Sequence, residues 1–470
     1  MRASLQRTSV LAAALLVLGV AAAFPGRVPL RADDPRPNVI VILTDDQSFD
    51  TLPSEPAAMP WLQARLTDPS DHWRWFPNAY LNTPLCCPSR ASILTGLYSH
   101  HTGVQDNGEG HLLDERTTLA VRLHDAGYRT GLIGKYLNRY PFGRGPYVPA
   151  GWDRWVGKQN LSDATTYYGY PFVDQGVPLT AGLAPQDYAT DLLAREAVGF
   201  VRSAPAAQPF FLLFAPSAPH DPQTPPPRYA SAFAGLRLPR PPSFGRADPG
   251  KPPWIRALPP ISEAAAQALD DARLRERQTL LAVDDAVQQI VAAVAARGDL
   301  ERTVIFFLTD NGLAFGEHGW TAKSCPYVEC VRTPFAVSLP GAAAGSDPTL
   351  VSNVDLAPTI AGLAGLEPRP SDGLDLTPLL EGTGPAPPRA GVLTEYHGDA
   401  NVPAWQGVRT PDFAYIRTGT FEELYDLSGA LGPADPFEMH DRIDDPAYLD
   451  VRLRLAALTT TLASADPGDG

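Results

Sequence analysis

Lysine is almost missing from this chain of 470 residues: four positions, Lys135, Lys158, Lys251 and Lys323, stand against 34 arginines among 38 basic residues. Arginine is thus used wherever either cation serves, which makes each surviving lysine a candidate for a place that needs a compact ammonium. Cysteine is as scarce, with only Cys86, Cys87, Cys325 and Cys330. Four are too few for a disulfide framework, and pairing between the adjacent Cys86 and Cys87 would be strained. Cys325 and Cys330, in SCPYVEC, are spaced to close a short loop. Positive charge is also in deficit. The 52 acidic residues leave a formal charge of −14, which argues against a nucleic-acid partner. An anionic substrate would therefore need a local concentration of cations to hold it.

Long apolar runs are confined to the start. In MRASLQRTSVLAAALLVLGVAAAFPG, Arg2 and Arg7 precede an apolar run over 10–20 and the small residues Ala21, Ala22 and Ala23. This reads as a secretory signal over 1–23, too short for a transmembrane span and without a following cysteine for a lipid anchor. No later segment reads as long and apolar enough to cross a membrane. The mature chain is expected outside the cytoplasm, secreted or extracytoplasmic, with no stable membrane insertion.

What is present is a set of apolar runs that end in chemically capable residues. NVIVILTDDQ ends at Asp45 and Asp46, YRTGLIGKY at Lys135, PFFLLFAPSAPHDP just before His220, and TVIFFLTDNG at Asp310 and Asn311. Each reads as a buried strand. Between them lie helical patterns from Asp114 (DERTTLAVRLHDAGY) and over 263–297, and SRASILTG reads as a helix following Cys86. Alternating strands and helices predict an α/β fold: a large, mostly parallel sheet sandwiched by helices, with ligands at the carboxyl ends of its strands. The four polar clusters then share one rim. A catalytic domain is expected over 36–384 and a linker at GTGPAPPRAG. A smaller C-terminal α+β subdomain over 391–463 and a disordered tail over 464–470 complete the plan. The proline-rich stretch 216–260 is too long for an ordinary connection and is expected to frame a pocket.

Asp45, Asp46, Asp310 and Asn311 offer only oxygen ligands. Such a set suits a hard divalent cation, Ca2+ or Mg2+, better than zinc. Cys86 would sit at the N-terminus of the helix that carries Arg90, where free N–H groups and the helix dipole favour an anion.

CCPSRASILTG, starting at Cys86, resembles the C-x-P-S-R-x-x-x-L-T-G signature of the sulfatase family. The resemblance extends in order through the DD after the first strand, GK, PH, DNG, DLAPTI and the late ELYDL. GKYLNRY, APHDPQTPPPRYASAF, the W-I-R at Trp254 and ERQTLLAVDDAV are similar to the N-acetylglucosamine-6-sulfatase branch. The resemblance implies an alkaline-phosphatase-like fold and a sulfuric ester hydrolase acting on a sulfated sugar. It also implies that Cys86 is converted to formylglycine by a formylglycine-generating enzyme. The hydrate of that aldehyde carries two hydroxyls on one carbon, one to attack sulfur and one to expel sulfate.

By the same resemblance Asp45, Asp46, Asp310, Asn311 and the residue at Cys86 hold one divalent metal, calcium first and magnesium second. Arg90 and Lys135 stabilise the formylglycine oxygens, His220 and Lys323 bind sulfate and protonate the leaving oxygen, and His318 is a sulfate-side or substrate contact. His100 and His101 are expected to be structural or rim residues. The chain departs from many sulfatases at Leu137, where they carry a histidine thought to act as base, and Asn138 can orient but not accept a proton. Alternatives are an arylsulfatase of broader specificity, a phosphonate or phosphate ester hydrolase on the same scaffold, and a binding protein without catalysis.

The signature distinguishes the two adjacent cysteines. Cys86→Ala is expected to abolish sulfate-ester hydrolysis, while Cys87→Ala keeps most of it. Turnover of an aryl sulfate by the two variants, with a mass spectrum of the peptide carrying both positions, checks the assignment, and the reverse pattern overturns it.

Overall fold

The computed structural model describes residues 36–159, 163–245 and 249–468, so the leader expected over 1–23 lies outside the described residues. The large sheet comprises β1 (Asn38–Thr44), β2 (Trp73–Trp75), β3 (Arg129–Lys135), β4 (Arg154–Lys158), β5 (Pro171–Asp174) and β6 (Val177–Thr180). It continues with β7 (Phe210–Ala215), β8 (Thr303–Thr309), β9 (Phe335–Ser338) and β10 (Gly345–Ser346). The strand order is β10-β2-β9-β8-β1-β7-β3-β4-β5-β6. The five central strands, β8-β1-β7-β3-β4, all run parallel. Antiparallel β9 and β5 flank them on either side. Asp45, Lys135, Asp310 and the segment leading to His220 therefore leave the sheet at one edge, as the sequence pattern predicts, and Lys158 leaves it there as well.

The central strands are apolar on both faces, as a sheet covered on both sides requires. Val39, Val41, Leu43, Phe211, Leu213, Phe306 and Leu308 pack on one side with α1 (Cys86–Thr95), α2 (Leu119–Asp125) and the short helix Leu356–Leu363. Ile40, Ile42, Leu212, Phe214, Ile305 and Phe307 pack on the other with α3 (Ala189–Ser203) and α4 (Glu263–Ala296). Each such Leu, Ile or Phe contributes roughly 1.5–3 kcal/mol, so the core fixes strand register and with it the placement of the rim residues.

Two helices differ from the sequence reading. The pattern from Asp114 is broken. A 3-10 turn, Glu115–Thr117, is capped by the Asp114 side chain, and Thr118 is extended before α2 begins. Asp114 satisfies the Arg116 N–H locally, which offers the backbone an alternative to continuous helix. The signature helix begins at Cys86 rather than at Ser89, because Pro88 is tolerated in the first turn, where its missing N–H costs nothing.

Helix α4 has 34 residues, Ser262 as its N-cap and no internal glycine or proline. At 1.5 Å per residue it is about 51 Å long, more than twice a seven-residue strand, so it outruns the sheet. By length and composition it could cross a membrane, which corrects the reading that no segment after the leader could. Its apolar face is used internally: Leu280, Val283, Val287, Ile290 and Val294 are buried against the sheet.

The C-terminal strands β11 (Val392–Tyr396), β12 (Trp405–Arg409), β13 (Phe413–Thr418) and β14 (Phe421–Asp426) form a separate antiparallel meander. One face packs Val408, Tyr415 and Leu424 with Leu455 of helix α5 (Leu449–Ser464). The other packs Ala414, Ile416 and Tyr425 on Ala314, Cys325 and Tyr327 of the preceding part of the chain. The expected linker is pinned by an ion pair between Arg389 and Asp355. Beyond Ser464 the chain is described as far as Gly468, which lies against Pro370.

One glycine is dictated by the rim. Gly134 has φ +129°, and a Cβ there would lie 1.9 Å from the Ala215 carbonyl oxygen of neighbouring β7. No L side chain fits, and Lys135 follows directly. Gly134→Ala is expected to lower stability by about 3 kcal/mol in urea denaturation. A loss below about 0.5 kcal/mol would contradict the described packing.

Candidate active site

Strand ends and helix α1 deliver their side chains to one point. Asp45 and Asp310 are fully buried and Asp46 is 4 % exposed. Asp46 sits at φ +62°, a left-handed conformation that aspartate tolerates better than most residues, and this turns its carboxylate back over the strand ends. Asn311 follows from β8 and donates from Nδ2 to Asp46 Oδ1 at 2.7 Å. Cys86 enters from α1, with Sγ 3.6 Å from Asp45 Oδ1 and 3.7 Å from Asp46 Oδ1.

Three cations meet the three carboxylates. Lys135 Nζ donates to both Asp45 oxygens at 2.9 and 2.7 Å. Lys323 Nζ donates to both Asp46 oxygens at 2.8 and 2.9 Å and lies 3.0 Å from Cys86 Sγ. Arg90 Nε donates to Asp310 Oδ2 at 2.7 Å and Nη1 to the Lys135 carbonyl at 2.8 Å. His220 Nε2 stands 3.5 Å from Asp46 Oδ2. The His220 and Lys323 side chains are each one-fifth exposed, so the cluster is reached from solvent on their side.

Burial alone would raise the Asp45 carboxyl, but Lys135, His220 and Arg90 overcome it and hold it well below the carboxylate range. Burial likewise opposes Lys323 and His220 at Asp46, and the net shift is again downward. Asp310 goes up, through burial and the neighbouring Asp45 charge, with Arg90 opposing. Lys135 and Lys323 are raised because Asp45 and Asp46 outweigh their burial. Burial pushes the Cys86 thiol up to about 12 despite the two lysines. At neutral pH an unmodified Cys86 is thus a neutral thiol and a poor nucleophile.

The residues fit a hard cation. Asn311 Oδ1 is buried with no hydrogen-bond partner, an acceptor oxygen left over beside three carboxylates. Asp45, Asp46, Cys86 and His220 also bring ligand atoms within 4.8 Å of one another. The donors are predominantly oxygen, which favours calcium or magnesium over zinc.

The loop carrying Lys323 is held at its backbone. Trp320 Nε1 donates to the Lys323 carbonyl and Trp405 Nε1 to the Ser324 carbonyl, each at 2.9 Å. Cys325 and Cys330 are disulfide-bonded directly after it. The structure brings together Cys86, Arg90, Lys135, His220, Lys323 and the four oxygen-bearing residues Asp45, Asp46, Asp310 and Asn311. His318 has a different setting: it is buried, with its ring 4.3 Å from Tyr327 and Nε2 3.6 Å from Glu329. His100 and His101 pair with Glu395 and Asp372. Leu137 is buried in the apolar core.

Two rim residues escaped the sequence reading. Lys158, 2 % exposed, is the register partner of Lys135 on β4, and burial lowers its ammonium to about 7. Its signal was the tetrapeptide WVGK, which repeats the pattern of LIGK before Lys135. Asn107 Oδ1 accepts from Cys87 N at 2.9 Å and so caps the helix that carries Cys86 from a distant loop, which no local pattern announces.

Comparison with known proteins follows the same outline. The sulfatase family model matches residues 37–366, and a model for the C-terminal part of N-sulphoglucosamine sulphohydrolase matches 316–464. Human N-acetylglucosamine-6-sulfatase is 35 % identical over 403 residues, covering 82 % of this chain and 71 % of that protein. The Drosophila melanogaster extracellular sulfatase SULF-1 homolog is 34 % identical over 348 residues, and the match spans 71 % of this chain but 30 % of the fly protein. The structure of BT4656 in complex with its substrate D-glucosamine-2-N,6-O-disulfate superposes with a TM-score of 0.78 at 25 % identity, covering 92 % of this chain and 99 % of that one. The phosphonate monoester hydrolase of Agrobacterium radiobacter shares the fold, with a TM-score of 0.71 at 23 % identity over 92 % and 96 % of the two chains.

The Arg90–Asp310 pair yields a test independent of turnover. Asp310→Ala leaves a buried guanidinium without its 2.7 Å partner. It is expected to cost about 3 kcal/mol, read by urea denaturation in the presence of a chelator. An unchanged midpoint would contradict the pairing.

Proposed function

The chain belongs to the sulfatase family, and from that premise we propose that it is an exported sulfuric ester hydrolase that removes a 6-O-sulfate from N-acetylglucosamine in a sulfated glycan. The observation that carries the chemistry is the cluster around Cys86: a helix N-terminus whose sulfur meets Asp45, Asp46 and Lys323, with Lys135, Arg90 and Asp310 paired directly behind them. The extended similarity to an N-acetylglucosamine-6-sulfatase supports the sugar and the position.

We propose that Cys86 carries the formylglycine, whose hydrate supplies one hydroxyl to attack sulfur and a second to release sulfate. That conversion puts oxygen where sulfur stands and completes an all-oxygen donor set. A divalent cation, calcium in this reading, held by Asp45, Asp46, Asp310 and Asn311 would acidify the attacking hydroxyl and neutralise sulfate oxygens.

Arg90, Lys135 and Lys323 match Asp45, Asp46 and Asp310 in number, and His220 and Lys158 stand at the same rim, so the chain's own side chains favour a negatively charged substrate there.

The chain's own residues divide the remaining work. Lys323, 3.0 Å from the Cys86 sulfur and on the solvent side of the cluster, holds positive charge beside the attacking group, where the sulfate must arrive. Lys135 keeps Asp45 ionised and oriented, and Arg90 orients Asp310 and opposes the upward shift of its carboxyl. His220, on the solvent side of Asp46, faces the direction from which substrate arrives and is suited to protonate the leaving oxygen.

A sugar alkoxide is a far poorer leaving group than a phenolate, so the proton matters more for the sugar. His220→Ala is expected to reduce kcat/KM for N-acetylglucosamine-6-sulfate about 100-fold and for an activated aryl sulfate less than 10-fold. A panel of sulfated monosaccharides differing in ring and position tests the substrate at the same time. Preference for another sugar would overturn the substrate reading, and equal losses on sugar and aryl esters would overturn the role of His220.

A further inference from the structure

Lys135, Lys158 and Lys323 stand at the rim, and the remaining lysine, Lys251, is buried in a different setting. It lies on the proline-rich stretch and is 1 % exposed. Its Nζ donates to the Tyr425 hydroxyl at 2.9 Å and to the Glu438 carbonyl at 2.6 Å. It is 3.8 Å from Glu423 Oε1, and it lies over the Tyr327 and Tyr425 rings at 3.7 and 4.4 Å from their centroids. Burial lowers this ammonium to about 8 with Glu423 and Glu329 opposing, so it carries its charge at neutral pH.

A buried charge is costly, and an apolar side chain would fill an ordinary core position with less penalty. What the charge supplies here is connection. A hydroxyl, a carbonyl and a carboxylate surround one point, which suits an ammonium with three donors better than a planar guanidinium in a chain that otherwise prefers arginine. The partners come from segments distant in sequence. Glu423 and Tyr425 lie on β14, Glu438 follows the meander, and Tyr327 stands four residues past Lys323.

Two lines run from Lys251 to Lys323. Along the first, the Tyr327 hydroxyl donates to Glu423 at 3.1 Å, and the next N–H, of Val328, donates to Glu438 Oε2 at 2.9 Å. Only Ser324, Cys325 and Pro326 separate Tyr327 from Lys323, and Cys325 is tied to Cys330. Along the second, Trp254, three residues past Lys251, packs edge-on against Trp320 with centroids 5.3 Å apart. Trp320 in turn holds the Lys323 carbonyl.

We propose that Lys251 is a positioning residue: by joining the proline-rich stretch, β14 and Tyr327 it fixes the backbone from which Lys323 reaches Cys86. Its effect on turnover rests on the hydrolase reading above.

Two measurements test this role. With an activated aryl sulfate, Lys251→Met is expected to lower kcat/KM about tenfold, because a small displacement of a group beside the reacting atoms is felt in the rate. In a Lys323→Met background the same substitution is expected to cost less than about twofold, since the group it positions is gone. Carbon-13 labelling of the lysine ε position gives a readout without turnover, as the chain has only four lysines. The Lys323 signal, assigned by its loss in Lys323→Met, is expected to move in Lys251→Met while that of Lys135 stays. Should Lys251→Met fail to fold, Tyr425→Phe, which removes one acceptor of the ammonium without emptying its site, carries the same comparison at about threefold in kcat/KM. Equal losses in both backgrounds, no loss, or an unmoved Lys323 signal overturns the role and leaves Lys251 a stabilising residue alone. Should the unaltered enzyme cleave no sulfate ester, the hydrolase reading fails on its own. The labelling then decides: a displaced Lys323 signal sustains the positioning role, and an unmoved one removes it.

Discussion

Three buried carboxylates held against three cations, two of them buried as well, are the constraint on which the site depends. Ions removed from water are stable only when paired in good geometry, so Asp45, Asp46 and Asp310 cannot sit at the rim without Lys135, Lys323 and Arg90. The pairs also tie separate parts of the chain together. Asp45 and Lys135 come from strands on either side of β7, Arg90 and Asp310 join helix to sheet, and Lys323 comes from a loop fastened by Trp320, Trp405 and a disulfide. The parallel core sets the distances, and the charges determine which side chains can occupy them.

The C-terminal meander enters this arrangement through Lys323 rather than through any ligand of its own. Trp405 on β12 fixes the Ser324 carbonyl, and Ala414, Ile416 and Tyr425 pack on the cystine and Tyr327. A small sheet at the end of the chain therefore sets the position of a cation 3.0 Å from the proposed nucleophile. Activity would be sensitive to changes in the meander that touch no substrate.

The strands and their chemically active ends were legible because apolar runs of five to seven residues ending in Asp, Asn or Lys admit few other readings. Helix α4 was legible from its cap and its uninterrupted helix formers. The break after Asp114 was not, because a side-chain hydrogen bond competed locally with helix and left the apolar spacing unchanged. Lys158 was visible as one of four lysines, but its five-residue strand carries only Trp155 and Val156 as apolar residues before Gly157, too short a run to announce a strand. Asn107 and the setting of His318 against Tyr327 depend on contacts between segments distant in sequence, which periodicity cannot encode. Arg277, on helix α4, belongs to the same class: it is buried with Nε and Nη1 unpartnered, and a charged residue on a helix reads as solvated until the fold buries it.

Cys86 has no accessible surface in the folded chain, and its helix is closed over by Lys323 and capped by Asn107. A small sulfate ester can approach past His220, but the catalytic cleft of another enzyme cannot grip the backbone of a helix buried in this way. If Cys86 is converted, its manufacture has a fixed order: oxidation of the thiol must precede closure of the rim. A molecule that folds first is a finished shell with the wrong atom inside, and no later encounter with the modifying enzyme repairs it. The fraction of active molecules in any preparation would then record a race between two rates during synthesis, a property of the producing cell carried permanently by each copy of the protein.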